Sequence, residues 1–261
     1  MADSFWLRDM IVLGQGAPNS IRKIGGQQGR CLCLWSKEKG YCRVYPVPYG
    51  YVSDWQIVDF EVRMPSNDGR ENSFVIFNYE NEWENLSKRI YVHKRKNKLG
   101  KIVPEELNKE QCLGLARNLA VDSFSDIRNN NRSFGLIKPA SFKLLFKKNK
   151  DKSEAQVKLA NFDIELLDNL IMDQKDYAWI PVIEYACSMK CESKHPHTQK
   201  LVEWGAYLWM KKKPNDYEHC AKLIYNYHVN DEDYEHYILI GNMRQYTKTY
   251  VVVKLIRFKV K

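Results

Sequence analysis

Residues 31–62 read CLCLWSKEKGYCRVYPVPYGYVSDWQIVDFEV, and this stretch decides the fold class. Two apolar, aromatic-rich runs, 31–35 and 41–47, flank the turn-forming SKEKG, which is the pattern of a β-hairpin. Pro46 and Pro48 cannot donate to a ladder, so the second strand is expected to end or bend at an edge. Residues 55–64, WQIVDFEVRM, alternate polar with apolar, as a half-buried strand does. Asp68 to Ser73 (DGRENS) then reads as a turn, with strands over 73–79 and 89–93.

Upstream, the apolar residues 11–13 open into GQGAPNSIRKIGGQQGR, whose glycines fit no phosphate-binding loop and read as a flexible connection. Direct contact with a substrate is the alternative use. Downstream, Pro104 followed by two glutamates predicts a helix over 105–120. Strands are predicted over 132–148 (broken by Pro139), 160–166 and 178–186, helices over 198–213 and 217–228, and a closing hairpin from 237–240 and 249–260 around GNMRQY. The class is α+β, with a β-barrel-like N-terminal part (1–100) and a mixed α/β C-terminal part (101–261). A single compact domain is the alternative partition.

The chain of 261 residues carries 41 Lys plus Arg against 32 Asp plus Glu, a formal charge of +9, which favours a polyanionic partner. Basic residues gather in two places: Lys88, Arg89, Lys94, Arg95, Lys96, Lys98 and Lys101, then Lys143, Lys147, Lys148, Lys150 and Lys152. They read either as solvated hairpins or as a surface that tracks phosphates. No secretory leader and no apolar run of about 18 residues is present, so no membrane association and a cytoplasmic location are expected. The seven cysteines, odd in number and irregularly spaced, are then reduced and available for burial or metal.

Two constellations carry chemistry. Arg43, Tyr45, Tyr49, Trp55 and Arg70 combine rings that can stack on bases, worth roughly 1 to 3 kcal/mol each, with guanidinium groups that can read phosphate or guanine. Ordinary packing, with Asp68 and Arg70 closing a turn, is the competing account. The basic residues Lys94, Arg95 and Lys96 would clamp the backbone. Cys187, Cys191, His195 and His197 are soft and borderline donors suited to zinc. Their short spacing is expected to strain a complete set, leaving open three donors plus a water, or a fourth from Cys220 or His219. Glu203, placed a helical turn beyond His197, would be the base of a zinc-dependent enzyme. No GxSxG, HExxH or phosphate-loop motif occurs, and the carboxylates from Asp163 to Asp176 lack the lysine partner of a nuclease.

The pattern R-x-YP-x-P at Arg43 to Pro48, with D-x-R-x-x-S at Asp68 to Ser73, resembles an N-terminal module of uncharacterised small prokaryotic proteins. SFGLIKP, VEWGAYLW and YILIGN are similar to later pieces of the same group, and together these segments touch about a third of the chain. The resemblance implies a shared architecture. More distantly, the N-terminal part resembles dual-OB and PUA-like barrels, whose members often bind RNA, DNA or modified bases. The expected function is nucleic-acid binding, with a modified or extruded base as target, in a bacterial defence or mobile-element setting. A zinc-dependent enzyme acting on nucleic acid or nucleotides and a non-enzymatic protein-interaction component are the alternatives.

Overall fold

Strands β1 (Phe5–Gln15), β3 (Gln27–Ser36), β4 (Gly40–Val47), β5 (Ile57–Arg63) and β6 (Ser73–Ile76) close into a five-stranded barrel, with the short β2 (Asn19–Ile21) paired to β3. The computed structural model describes residues 3–150, 176–193 and 195–261. Around the barrel the order is β1-β3-β4-β6-β5, and β5 returns to β1; β4 and β6 run parallel, the other pairs antiparallel. Alternation builds the interior: Cys42 and Val44, Val58, Phe60 and Val62, and Phe74 and Ile76 point inward into one apolar cluster. The intervening residues, Arg43, Arg63 and Ser73 among them, therefore face outward.

The hairpin predicted around SKEKG is present, Gly40 taking the left-handed conformation (φ 67°) that lets the chain reverse. The glycine-rich stretch is not a loose connection. Gly14 lies inside β1, where a Cβ would meet Leu239 Cδ2 at 2.8 Å, so the absent side chain lets the C-terminal sheet approach the barrel.

After β6, α1 (Tyr79–Glu82) and a 3-10 turn lead to β7 (Ile90–Val92), which pairs with β5. β8 (Lys94–Lys96) and β9 (Ile102–Pro104) form a separate two-stranded sheet. The helix predicted from residue 105 starts later, as α2 (Lys109–Leu119), because Glu105 remains extended, bonded to Ile57 and His93. Asn108 and Gln111 form a reciprocal capping box that fixes the true start. Asn108→Ala should lower stability by about 1 kcal/mol, read as a reduced urea midpoint at unchanged slope.

The C-terminal part is mixed. β10 (Ala120–Val121), β11 (Phe134–Ile137), β15 (Tyr234–Asn242) and β16 (Tyr250–Lys259) form one sheet, and β12 (Pro139–Lys148), β13 (Trp179–Cys187) and β14 (His197–Lys200) another. Between them lie α3 (Phe124–Asn129), α4 (Trp204–Lys211), α5 (Tyr217–Ala221) and α6 (Leu223–Asn226). The helix predicted over 198–213 is thus corrected: its first residues are strand, paired with β13 through Tyr185 and His197, and the helix begins only at Trp204. The strand predicted over 160–166 lies outside the described residues. Leu13 and Cys33 of the barrel share an apolar cluster with Phe134, Leu136, Tyr237 and Leu239, so the two parts have a common core. No helix among the described residues is long and apolar enough to cross a membrane.

Candidate functional site

The outward face of β4, β6 and β5 floors a cleft of about 270 Å³. One wall is Ser20 to Lys23, from the connection between the first two barrel strands; the other is Pro65 to Arg70, from the connection between β5 and β6. Arg244, on the turn between β15 and β16, closes a third side. Arg43 and Ser73 are register partners across the parallel pair, which sets their side chains beside each other, and Tyr45 follows on the same strand.

The cleft is strongly positive. It is lined by Arg22, Lys23, Arg43, Arg63, Arg70 and Arg244 against only Asp68 and Glu80. Both carboxylates are already paired, Arg63 with Glu80 at 2.6 Å and Arg70 with Asp68 at 2.6 Å. Burial would lift the Asp68 carboxyl, but hydrogen bonds and charge from Arg70, with Arg244 beyond, hold it below the usual carboxylate range. Burial pushes the Tyr45 phenol up to about 12, so it presents a neutral ring and hydroxyl.

Arg43 is only 6% exposed. Its guanidinium lies 4.0 Å from the Phe134 ring centroid and donates to Ser133 O (3.2 Å), Asn242 O (3.1 Å), Asn242 Oδ1 (3.2 Å) and Cys31 Sγ (3.2 Å). None of these acceptors is a carboxylate. Arg43 Nε and the hydroxyl of Ser73, itself 2% exposed, have no protein partner. The floor of the cleft therefore holds a buried cation without a carboxylate, beside an unsatisfied hydroxyl.

Of the predicted recognition residues, the cleft gathers Arg43, Tyr45 and Arg70. Tyr49 instead meets Trp204 edge-on at 5.5 Å, and Trp55 packs on Phe258 at 6.0 Å, where the barrel meets the C-terminal sheet. Lys94, Arg95 and Lys96 are exposed on β8, apart from the cleft. Sequence reasoning did not single out Arg22, Lys23, Arg63 or Arg244. The first two sit in the glycine-rich stretch, where a basic pair beside Ser20 was the available signal. Arg244 comes from the far end of the chain and carries no local signal.

The second constellation forms at the end of the β13–β14 pair. Cys187 closes β13, His197 opens β14, and Cys191 and His195 lie in the connection, so one donor atom from each of the four falls within 4.8 Å of the others. His197 Nε2 is 3.3 Å from Cys187 Sγ and 3.5 Å from Cys191 Sγ. The pairing of β13 with β14 brings together all four of the donors expected from the sequence as a possible metal site, without a fourth from Cys220 or His219.

α3 buttresses the cluster from behind. Phe124 N donates to Cys187 Sγ (3.2 Å), Ser125 Oγ lies 3.1 Å from Cys191 Sγ, and the Phe124 ring packs on His197 at 5.0 Å. Burial alone would raise the Cys191 thiol, but hydrogen bonds from Ser125, Ser123 and nearby backbone amides outweigh it and bring it to about 5. Burial pushes Cys187 up to about 11 and holds the His197 imidazole below its ordinary value.

Glu203, expected as a base beside this cluster, serves elsewhere. It precedes α4, is buried, and its Oε2 accepts from Leu255 N at 2.9 Å; burial raises its carboxyl, with Lys254 opposing. Lys254 in turn bonds Asp54 at 2.5 Å, so this is a polar tie between barrel and C-terminal sheet. The helical spacing that placed Glu203 one turn from His197 is absent, because residues 197–200 are extended. The chain matches no family model, no curated protein and no solved structure, so the chemistry of the cleft and of the Cys/His cluster carries the functional reading.

Proposed function

We propose that this protein binds nucleic acid, receiving an unpaired or extruded nucleotide in the barrel cleft. The observation that carries the reading is the buried Arg43 guanidinium, unmatched by any carboxylate, under an opening rimmed by Arg22, Lys23 and Arg244. Such an arrangement lacks an anion, and phosphate supplies one. Tyr45 offers a neutral ring for a base.

The barrel supports the same reading. Numbered along the chain, its strands run 1-2-3-5-4 around the ring with the third and fifth parallel. That order resembles the Greek-key arrangement of OB-type barrels, which bind oligonucleotides on the face of strands 2 and 3 between the 1–2 and 4–5 connections, and of that face the third strand floors this cleft. The cleft lies between those two connections.

The test is fluorescence anisotropy of labelled single-stranded and duplex oligonucleotides across a salt series. Replacing Lys23 and Arg244 together by Ala should weaken binding about tenfold or more at low salt and lower the slope of log K against log salt by about 1.5 to 2. No detectable affinity at low ionic strength would overturn the reading.

We assign zinc to the Cys187, Cys191, His195 and His197 cluster, in a structural role. Two sulfurs and two imidazoles are a donor set zinc favours, and tetrahedral bonds of about 2.0 to 2.3 Å require donor separations of roughly 3.3 to 3.8 Å. The observed 3.3 and 3.5 Å separations suit that. Four protein donors fill the coordination and Glu203 is turned away, so the geometry favours a clamp on α3, β13 and β14 over a catalytic centre.

A further inference from the structure

The β8–β9 hairpin pairs only with itself, yet it is held in shape. Asn97 Oδ1 accepts from Leu99 N and Lys101 N, both at 3.0 Å, and Gly100, at φ 73°, donates to Asn97 O at 2.9 Å. Lys94, Arg95, Lys96, Lys98 and Lys101 are all exposed, and among the described residues none of them forms an ion pair. Lys94 and Lys96 alternate with Arg95, so both faces of the ribbon carry positive charge. Apolar side chains stand among these charges, Leu99 in the turn being 81% and Ile102 at the start of β9 69% exposed. A solvated two-stranded ribbon is marginal by itself, and this one exposes charge and apolar surface together.

Its position relative to the cleft follows from strand pairing. β1 occupies one edge of β5, and β6 and β7 share the other, β6 against Val62 and Arg63, β7 against Val58, Asp59 and Phe60. The ribbon continues from β7, anchored where His93 N donates to Ile57 O at 2.9 Å. It therefore rises along the edge of β5 that also carries the cleft, at the opposite end of the strand. Six residue steps from Ile57 to Arg63 correspond to roughly 20 Å. The ground between is not a basic track: Glu80 is paired with Arg63, and Glu61 and Glu82 with Arg89. Two separate contacts are available, a cleft of nucleotide size and a ribbon.

We infer that the substrate is duplex DNA carrying an unpaired or extruded nucleotide, with that nucleotide in the cleft and the β8–β9 ribbon in the adjacent major groove. The inference rests on the nucleic-acid reading above and deepens it. A two-stranded ribbon fits the B-form major groove, about 12 Å wide, where phosphates line both sides and Lys94, Arg95 and Lys96 meet them on both faces. Leu99 at the tip meets base edges and thymine methyls. The major groove of A-form RNA is too narrow and deep for such an arm, which selects DNA.

The experiment compares four labelled probes by anisotropy: single-stranded DNA, a fully paired DNA duplex, that duplex with one bulged nucleotide, and a bulged RNA duplex. Bulged DNA is expected to bind about tenfold tighter than any of the others. The triple variant Lys94→Ser, Arg95→Ser, Lys96→Ser should collapse the preference over single-stranded DNA to about twofold, leave the preference over the paired duplex, and reduce the salt slope for bulged DNA by about 3. An unchanged melting temperature of the variant confirms that the barrel is intact. If single-stranded DNA binds but flanking duplex adds nothing, if bulged RNA binds equally, or if the variant keeps the preference over single-stranded DNA, this inference falls and the cleft reading stands. If no probe binds, both fall.

Discussion

On the proposed zinc assignment, a chelator, or replacement of Cys191 by Ala, is expected to lower the melting temperature by about 10 °C or more. The cluster ties together three segments: α3 through Phe124 and Ser125, the last residue of β13, and the first residue of the four-residue β14. The β14 side chains are His, Thr, Gln and Lys, so little apolar burial holds that strand. Metal affinity gained only in the folded state is folding free energy. Loss of a structural metal falls among the changes that cost about 4 kcal/mol or more. For a chain of this size that amounts to roughly 8 to 16 °C. Elemental analysis should find about one zinc per chain in the wild type and none in the variant. Met189→Ala, at a 65% exposed position in the same connection, should leave both metal and melting temperature unchanged. Metal-free wild-type protein that melts at the same temperature with and without chelator would remove the zinc assignment.

What the sequence revealed divides along physical lines. The hairpin around Gly40 and the alternation of Val58, Phe60 and Val62 are local patterns, and both were readable. β14 was not, because a strand of polar residues on paired positions has no apolar alternation, and the apolar run that follows drew the helix forward over it. Gly14 read as a breaker because what it accommodates, the Leu239 side chain, comes from 225 positions later in the chain. The Cys/His donors were legible as residue types, whereas their convergence depends on the pairing of Tyr185 with His197. The cleft shows the same divide. Arg43, Tyr45 and Arg70 stand near one another in sequence, but Arg244 reaches them only through the β15–β16 turn. The ion pair proposed between Asp68 and Arg70 formed, and those residues also line the cleft, so packing and recognition were not exclusive accounts.

Arg43→Met is expected to destabilise the protein by about 2 to 4 kcal/mol and also to reduce the stabilisation that an anionic ligand gives the wild type. The guanidinium bridges β4 to Ser133, to the Phe134 ring at the start of β11 and to Asn242 of β15, so its loss acts where the barrel and the C-terminal sheet meet. The two backbone acceptors are not left bare, since Ser133 O also accepts from Asn242 N at 3.0 Å and Asn242 O from Arg70 at 3.0 Å. Asn242 Oδ1, for which Arg43 is the donor at 3.2 Å, loses its bond, and Phe134 loses the cation above its ring. Charge-assisted bonds contribute about 1.5 to 3 kcal/mol each. Against that, methionine ends the burial of a cation without a carboxylate, which offsets part of the loss. The sign of the second effect is set by this same burial: an oligonucleotide phosphate in the cleft meets an unmatched buried charge in the wild type and only the rim charges of Arg22, Lys23 and Arg244 in the variant. At 100 times its dissociation constant, a ligand raises wild-type stability by about 2.7 kcal/mol. Thermal melts with and without oligonucleotide at one fixed concentration should therefore show a shift of several degrees for the wild type and a smaller one for Arg43→Met, whereas Tyr49→Ala, outside the cleft, should keep the full shift. An equal ligand-induced shift in Arg43→Met would mean that the cation under the cleft serves the junction between the two parts and not the anion.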